Sequence, residues 1–119
     1  MNAIDRLRKM LDEANIPYDS YCETYEDRFK EFKDDYWQRR MAECEADNYF
    51  RNQIIIGRNK SDCASWLFDA IYQYGSYGRH EDMLETYGEF GADEEGNPKV
   101  MTTQEAFDII KNLYDNKQF

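Results

Sequence analysis

Histidine, proline and cysteine are scarce in this chain: one, two and three copies in 119 residues. Each scarcity removes a class of chemistry. With His80 alone, no zinc site can use two histidines. Cys22, Cys44 and Cys63 are spread along the chain with no Cys-x-x-Cys pair. An odd number of widely spaced cysteines predicts three reduced, mostly buried thiols rather than a disulfide framework. Asp93-Glu94-Glu95-Gly96-Asn97 has the composition of a calcium loop but places glycine fourth, where an EF-hand needs it sixth. Gly75-Ser76-Tyr77-Gly78 lacks the Gly-Lys-Ser/Thr ending of a phosphate loop, and no G-x-G-x-x-G occurs. The expectation is therefore no metal and no cofactor. A catalytic histidine would have to be His80, beside Arg79 and Glu81 in a turn, with Ser76 close in sequence. Nucleophile, base and orienting group normally converge from separate elements, so no catalytic residue is assigned and a non-enzyme is expected. No apolar run approaches the ~20 residues that cross a bilayer. The stretch Met1–Arg6 has no apolar signal core, which leads to the expectation of a soluble protein that stays inside the cell.

Basic residues are also missing from one long stretch. Between Glu81 and Glu95 lie Glu81, Asp82, Glu85, Glu89, Asp93, Glu94 and Glu95, with no Lys or Arg among them. The whole chain carries a formal charge of −10 together with ten Tyr, seven Phe and two Trp. That aromatic content supplies enough core volume to fold despite the charge, and a chain of this length buries roughly two-thirds of its unfolded surface. A field of this sign repels nucleic acid and attracts basic surfaces. The short clusters Arg6-Leu7-Arg8-Lys9 and Arg39-Arg40 sit among acids, so direct nucleic-acid binding is not expected.

The local patterns predict an α+β fold. Ile4, Leu7, Leu11 and Ala14 recur at helical steps after Asn2, a capping residue, and Asn15-Ile16-Pro17 closes that helix. Residues 16–25 alternate with a period of two, as a strand does. Over 25–48 the stripe Tyr25, Phe29, Phe32 and Tyr36 predicts a helix with a broad aromatic face. Tyr49 to Gly57, with Ile54-Ile55-Ile56, is the clearest strand and reads as covered on both faces. The stretch from Cys63 to Tyr74 fits a strand through Trp66, Phe68, Ala70 and Tyr72, and also fits a helix capped by Ser61 or Asp62; the aromatic content favours the strand. Met83–Tyr87 is its hairpin partner after a glycine turn, and 88–98 is a polar acidic loop. Thr102-Thr103-Gln104-Glu105 is a capping box before the apolar stripe Ala106, Ile109, Ile110, Leu113 and Tyr114. The predicted order is α-β-α-β-β-β-α: one domain over 1–119, a small antiparallel sheet of three to four strands with helices packed mainly on one face.

The acidic tract carries the functional expectation. Carboxylates at Glu81, Asp82, Glu85, Glu89, Asp93, Glu94 and Glu95, with Tyr77 and Tyr87 as anchors, form a surface for a partner protein with a basic groove. Spaced acids there imitate the charge density of a nucleic-acid backbone. The alternative is a small-molecule site for a nucleotide-like ligand in the tyrosine–glycine turn, from Tyr72, Tyr74, Gly75, Tyr77 and Gly78.

Four segments, LRKMLDEANIPY from Leu7 to Tyr18, NQIIIG from Asn52 to Gly57, QYGSYGRHEDMLETYG from Gln73 to Gly88, and VMTTQEAFDIIK from Val100 to Lys111, resemble small, mostly uncharacterised acidic proteins encoded in phages and prophages of Gram-positive bacteria. Relative to that pattern the segment from Tyr25 to Asn48 is a helical insertion. The resemblance implies a phage accessory protein made in the cytoplasm of the bacterial host. In that setting it implies an inhibitor of a host defence nuclease, in the manner of an anti-CRISPR protein.

Overall fold

A computed structural model describes residues 1–24, 27, 35–36, 49–57, 59 and 61–119. The chain runs through helix α1 (Ala3–Glu13) and strands β1 (Asp19–Thr24), β2 (Tyr49–Gly57), β3 (Trp66–Ile71), β4 (Leu84–Tyr87) and β5 (Lys99–Met101). It then enters helix α2 (Thr103–Asp115), and short 3-10 turns occur at Cys63–Ser65 and Arg79–Glu81. The helix expected over 25–48 falls, apart from residues 27 and 35–36, outside the described residues.

Both helix starts are set by their caps. The Asn2 side chain accepts from the Asp5 amide at 3.0 Å. Thr102 and Glu105 form the reciprocal capping box, each side chain accepting from the other's backbone N–H. The two helix ends share one device. Asn15 adopts φ 57°, and the amides of Asn15 and Ile16 return to the carbonyls of Asp12 and Leu11 at 3.1 and 3.0 Å. Lys117, at φ 56°, and Gln118 repeat the pattern on Tyr114 and Leu113. These are Schellman closures, which satisfy carbonyls left open by the last turn.

The five strands form one antiparallel meander in chain order. The sequence reading allowed three to four strands. The additional one is β5, whose three residues follow Gly96-Asn97-Pro98 and look locally like the end of a loop. Only pairing with β4, Leu84 opposite Met101 and Thr86 opposite Lys99, makes it a strand. The ambiguous stretch resolves into a 3-10 turn capped by Asp62 and a strand from Trp66 onward.

Register assigns each side chain to a face. Ile54, Ala70 and Thr86 lie in one cross-strand row, and Ile56 sits opposite Phe68. This face meets Ala3, Ile4, Leu7 and Leu11 of α1 and Ala106 and Ile110 of α2 in a single hydrophobic cluster. Both described helices therefore pack on the same face, as expected. Each fully buried large side chain contributes ~1.5–3 kcal/mol. Ile54, Ile55 and Ile56 are all buried, so β2 is covered on both faces. Ile55, Asp69 and Tyr87 form one row of the other face, and Gln53, Ile71, Glu85 and Val100 form the next.

Candidate functional site

The seven acids of the 81–95 tract divide by register and by backbone geometry. Glu81, Glu89, Glu94 and Glu95 are exposed. Asp82 is drawn inward: one carboxylate oxygen accepts from the Ala3 amide at 2.8 Å and the Tyr72 hydroxyl at 3.1 Å, and the other from Arg6 at 2.6 Å. Partial burial alone would raise its pKa, but hydrogen bonds from Arg6, Ala3 and Tyr72 outweigh it and hold Asp82 below the usual carboxylate range. Glu85 is buried on β4, where its carboxylate accepts the Tyr77 amide at 2.8 Å. Asp93 is exposed, yet its Oδ1 accepts the amides of Glu95 and Asn97 at 2.9 and 2.8 Å and so shapes the loop. Glu85 is thus an interior group and Asp82 a half-exposed one engaged by the fold, so the free outward carboxylates are fewer than the sequence alone implies.

The loop that carries Glu89 to Glu95 is pinned at several points. The Phe90 amide donates to the Leu67 carbonyl at 2.9 Å, the Asp93 amide to Asn97 at 2.9 Å, and Ala92 bridges Pro98. The Thr86 hydroxyl donates to the Gly91 carbonyl at 2.6 Å. Gly88 has φ 93°, and a Cβ there would come within 2.9 Å of the Leu67 carbonyl and the Phe68 amide, so only glycine lets β4 turn against β3. Among the described residues no ion pair reaches Glu81, Glu89, Asp93, Glu94 or Glu95. Phe90, 39% exposed, lies between the acids as an apolar contact.

Among the described residues, no depression is lined by those of the tyrosine–glycine turn. Tyr72 is buried and its hydroxyl faces Asp82 and the Arg79 carbonyl. Gly75 and Gly78 have φ of 81° and 82°, as a turn needs, but Gly78 is packed against Val100 and Met83. Tyr74 is half-buried beneath the Arg79 guanidinium, and Tyr77 projects, 63% exposed. Two depressions among the described residues lie elsewhere. One is bordered by Pro17, Tyr18, Ile55 and Phe119, the other by Arg6, Met10, Glu81, Asp82, Met83 and Thr102–Gln104, so that it touches the start of the acidic tract. His80 is exposed, and the Ser76 hydroxyl is engaged with the Gln73 main chain at 2.8 and 3.0 Å.

Sequence reasoning missed a polar row on the sheet face away from α1 and α2. Arg51 stacks on Tyr21 at 4.1 Å and donates to Gln53 at 3.0 Å; Gln53 donates to the buried Asp69 at 2.8 Å. Burial pushes Asp69 up, the Gln53 hydrogen bond opposes this, and the nearby Glu85 charge adds to it. Tyr87 is pushed up to about 12 by burial first, then by its hydrogen bond to Glu85 and the charge of that carboxylate. The legible signal was Asp69 itself, a lone acid between Phe68 and Ala70 in an apolar strand. Tyr87 yields a prediction: in a spectrophotometric titration one tyrosine will ionise near 12, and Glu85→Gln will return it toward 10.0, the ordinary value. An unmoved titration in that variant would separate Tyr87 from Glu85.

Two exposed thiols correct the expectation of buried cysteines. Cys22 is on the edge strand β1 and Cys63 in the 3-10 turn, both free, while Cys44 lies outside the described residues. Among the described residues no group of three or more His, Cys, Asp or Glu is placed to hold a metal ion, and no helix is long and apolar enough to cross a membrane. Comparison with protein-family models, with curated proteins and with solved structures returns no match.

Proposed function

We propose that this chain is a non-enzymatic phage accessory protein of the bacterial cytoplasm that binds a host protein through the acidic loop between β4 and β5. The occupied groove would be one that normally receives nucleic acid, as on a defence nuclease. One observation carries the reading: Glu89, Glu94 and Glu95 are exposed and, among the described residues, without ion pairs, on a loop pinned by its own hydrogen bonds. A preorganised row of free carboxylates loses little conformational entropy on docking, and it steers a basic partner from a distance. Such a row releases counterions from a basic groove much as a phosphate backbone does. Phe90 and Tyr77 add exposed aromatic contacts of the kind enriched at interfaces. The likeness of four segments to phage and prophage proteins supplies the cellular setting.

The test is charge reversal restricted to outward groups, Glu89→Lys, Glu94→Lys and Glu95→Lys together. Asp93, Asp82 and Glu85 stay intact because the fold uses them. A tagged wild-type chain is expected to recover a basic partner from host extract and to lose it to added duplex DNA or to rising salt. The reversed variant should keep its melting temperature and recover no partner. Equal recovery by the two proteins at low and moderate salt would refute the reading.

A further inference from the structure

The Asp69 and Glu85 carboxyls occupy the same face of neighbouring strands, 3% and 8% exposed. They are unevenly served. Glu85 accepts the Tyr77 amide and the Tyr87 hydroxyl, whereas Asp69 receives one donor, Gln53. The titratable and charged groups of the described strands on this face are Asp19, Tyr21 and Glu23 of β1, Arg51 of β2, Asp69 of β3, and Glu85 and Tyr87 of β4, with Tyr77 bonded to the face from the turn. β5 adds only Val100 to the Glu85 row. Arg51 is the one cation, and its guanidinium is spent on Gln53 and the Tyr21 ring. With no cation between the two among the described residues, the Glu85 charge disfavours ionisation of the buried Asp69.

We propose that Asp69 acts as a proton switch beneath the Tyr77 turn: its neutral carboxyl leaves Glu85 on the Tyr77 amide, and its ionisation releases that turn. Asp69 carries the proton, since it has the fewer donors and the deeper burial. When Asp69 ionises, its charge repels Glu85, and the shortest way for Glu85 to separate is to leave the Tyr77 amide and move outward. Tyr77 sits 63% exposed at the tip of this connection, so presentation of its ring would depend on pH. The sign follows from the raised proton affinity of Asp69. Its contribution to stability is complete below the ordinary aspartate value of 3.8 and is lost as pH rises through the higher folded value. The device does not depend on the acidic loop as a docking surface, so failed partner capture leaves it standing.

The experiment is an NMR titration of the full chain, labelled with carbon-13 and nitrogen-15, following the Asp69 carboxyl carbon and the Tyr77 amide. Asp69 should titrate clearly above its ordinary value, with the Tyr77 amide resonance moving at the same midpoint. Asp69→Asn keeps an acceptor for Gln53 and removes the charge. It should abolish the Tyr77 transition and melt increasingly above wild type as pH rises. An Asp69 carboxyl titrating at or below its ordinary value, or a Tyr77 amide indifferent to Asp69, would overturn the switch. The wild-type titration decides the matter even if Asp69→Asn fails to fold.

Discussion

Phe68→Ala is expected to cost about 3–5 kcal/mol of folding stability. Phe68 lies on the central strand β3, fully buried, opposite Ile56 on the face shared with α1 and α2. Its truncation removes apolar area and leaves a cavity between a sheet and two helices, where backbone on each side resists collapse. Against a total stability of about 5–15 kcal/mol for an ordinary domain, this is a third or more, and the melting temperature should fall by ~10 °C or more. Urea unfolding followed by circular dichroism measures the loss. A change below ~1 kcal/mol would mean that the core closes over the gap. There is a functional consequence as well. The acidic loop hangs from β3 through the Phe90 amide on the Leu67 carbonyl, with Gly88 against Leu67 and Phe68. Partner capture should therefore weaken in this variant even at temperatures where it remains folded.

Sequence reading succeeded wherever structure is decided by neighbours along the chain. Asn2, Asn15 and the Thr102–Glu105 box act within five residues of themselves, and the helical stripes of α1 and α2 carry their own period. Ile54-Ile55-Ile56 announced a strand buried on both faces because no helix-period pattern places three consecutive β-branched residues well. β5 was invisible for the opposite reason. Lys99-Val100-Met101 has little propensity to distinguish it and exists as a strand because β4 lies beside it. The choice between helix and strand after Cys63 also needed a partner to settle it, and β2 supplies that partner.

The candidate site was legible as a region and illegible as a set of roles. Seven acids between Glu81 and Glu95 look equivalent in a sequence, since composition carries no register. Glu85 is buried although register places it on the sheet face away from α1 and α2, while a left-handed residue at the end of the 3-10 turn aims Asp82 at the start of α1. Asp82 and Ala3 are 79 residues apart, and no local pattern encodes such a contact. Tyr72 shows the same limit: a candidate ligand contact by its nearness to the turn in sequence, it is a core residue with its hydroxyl on Asp82.

Asp82→Ala should expose how much the fold relies on that contact. The buried Ala3 amide, in the first turn of α1, would lose its acceptor, and the Tyr72 hydroxyl would lose one of its acceptors. Leaving such groups unmatched costs about 1–3 kcal/mol. The Arg6 ion pair adds little, because both side chains are about two-fifths exposed and solvent screens them. Asp82 also has φ 56°, a conformation alanine resists more than aspartate does, so the backbone adds to the loss. Asp82→Asn tolerates that φ and retains one acceptor oxygen, and should recover part of the stability. The pH dependence separates this residue from Asp69. With its folded pKa depressed, Asp82 contributes stability that is present above 3.8 and is lost as pH falls through its lower folded value. Asp69 works in the reverse sense, losing its contribution as pH rises. Wild type and Asp82→Ala should therefore converge in melting temperature toward strong acid, while wild type and Asp69→Asn diverge toward neutral pH. If Asp82→Ala melted like wild type near neutrality, the start of α1 would be held by its packing on the sheet and not by this carboxylate.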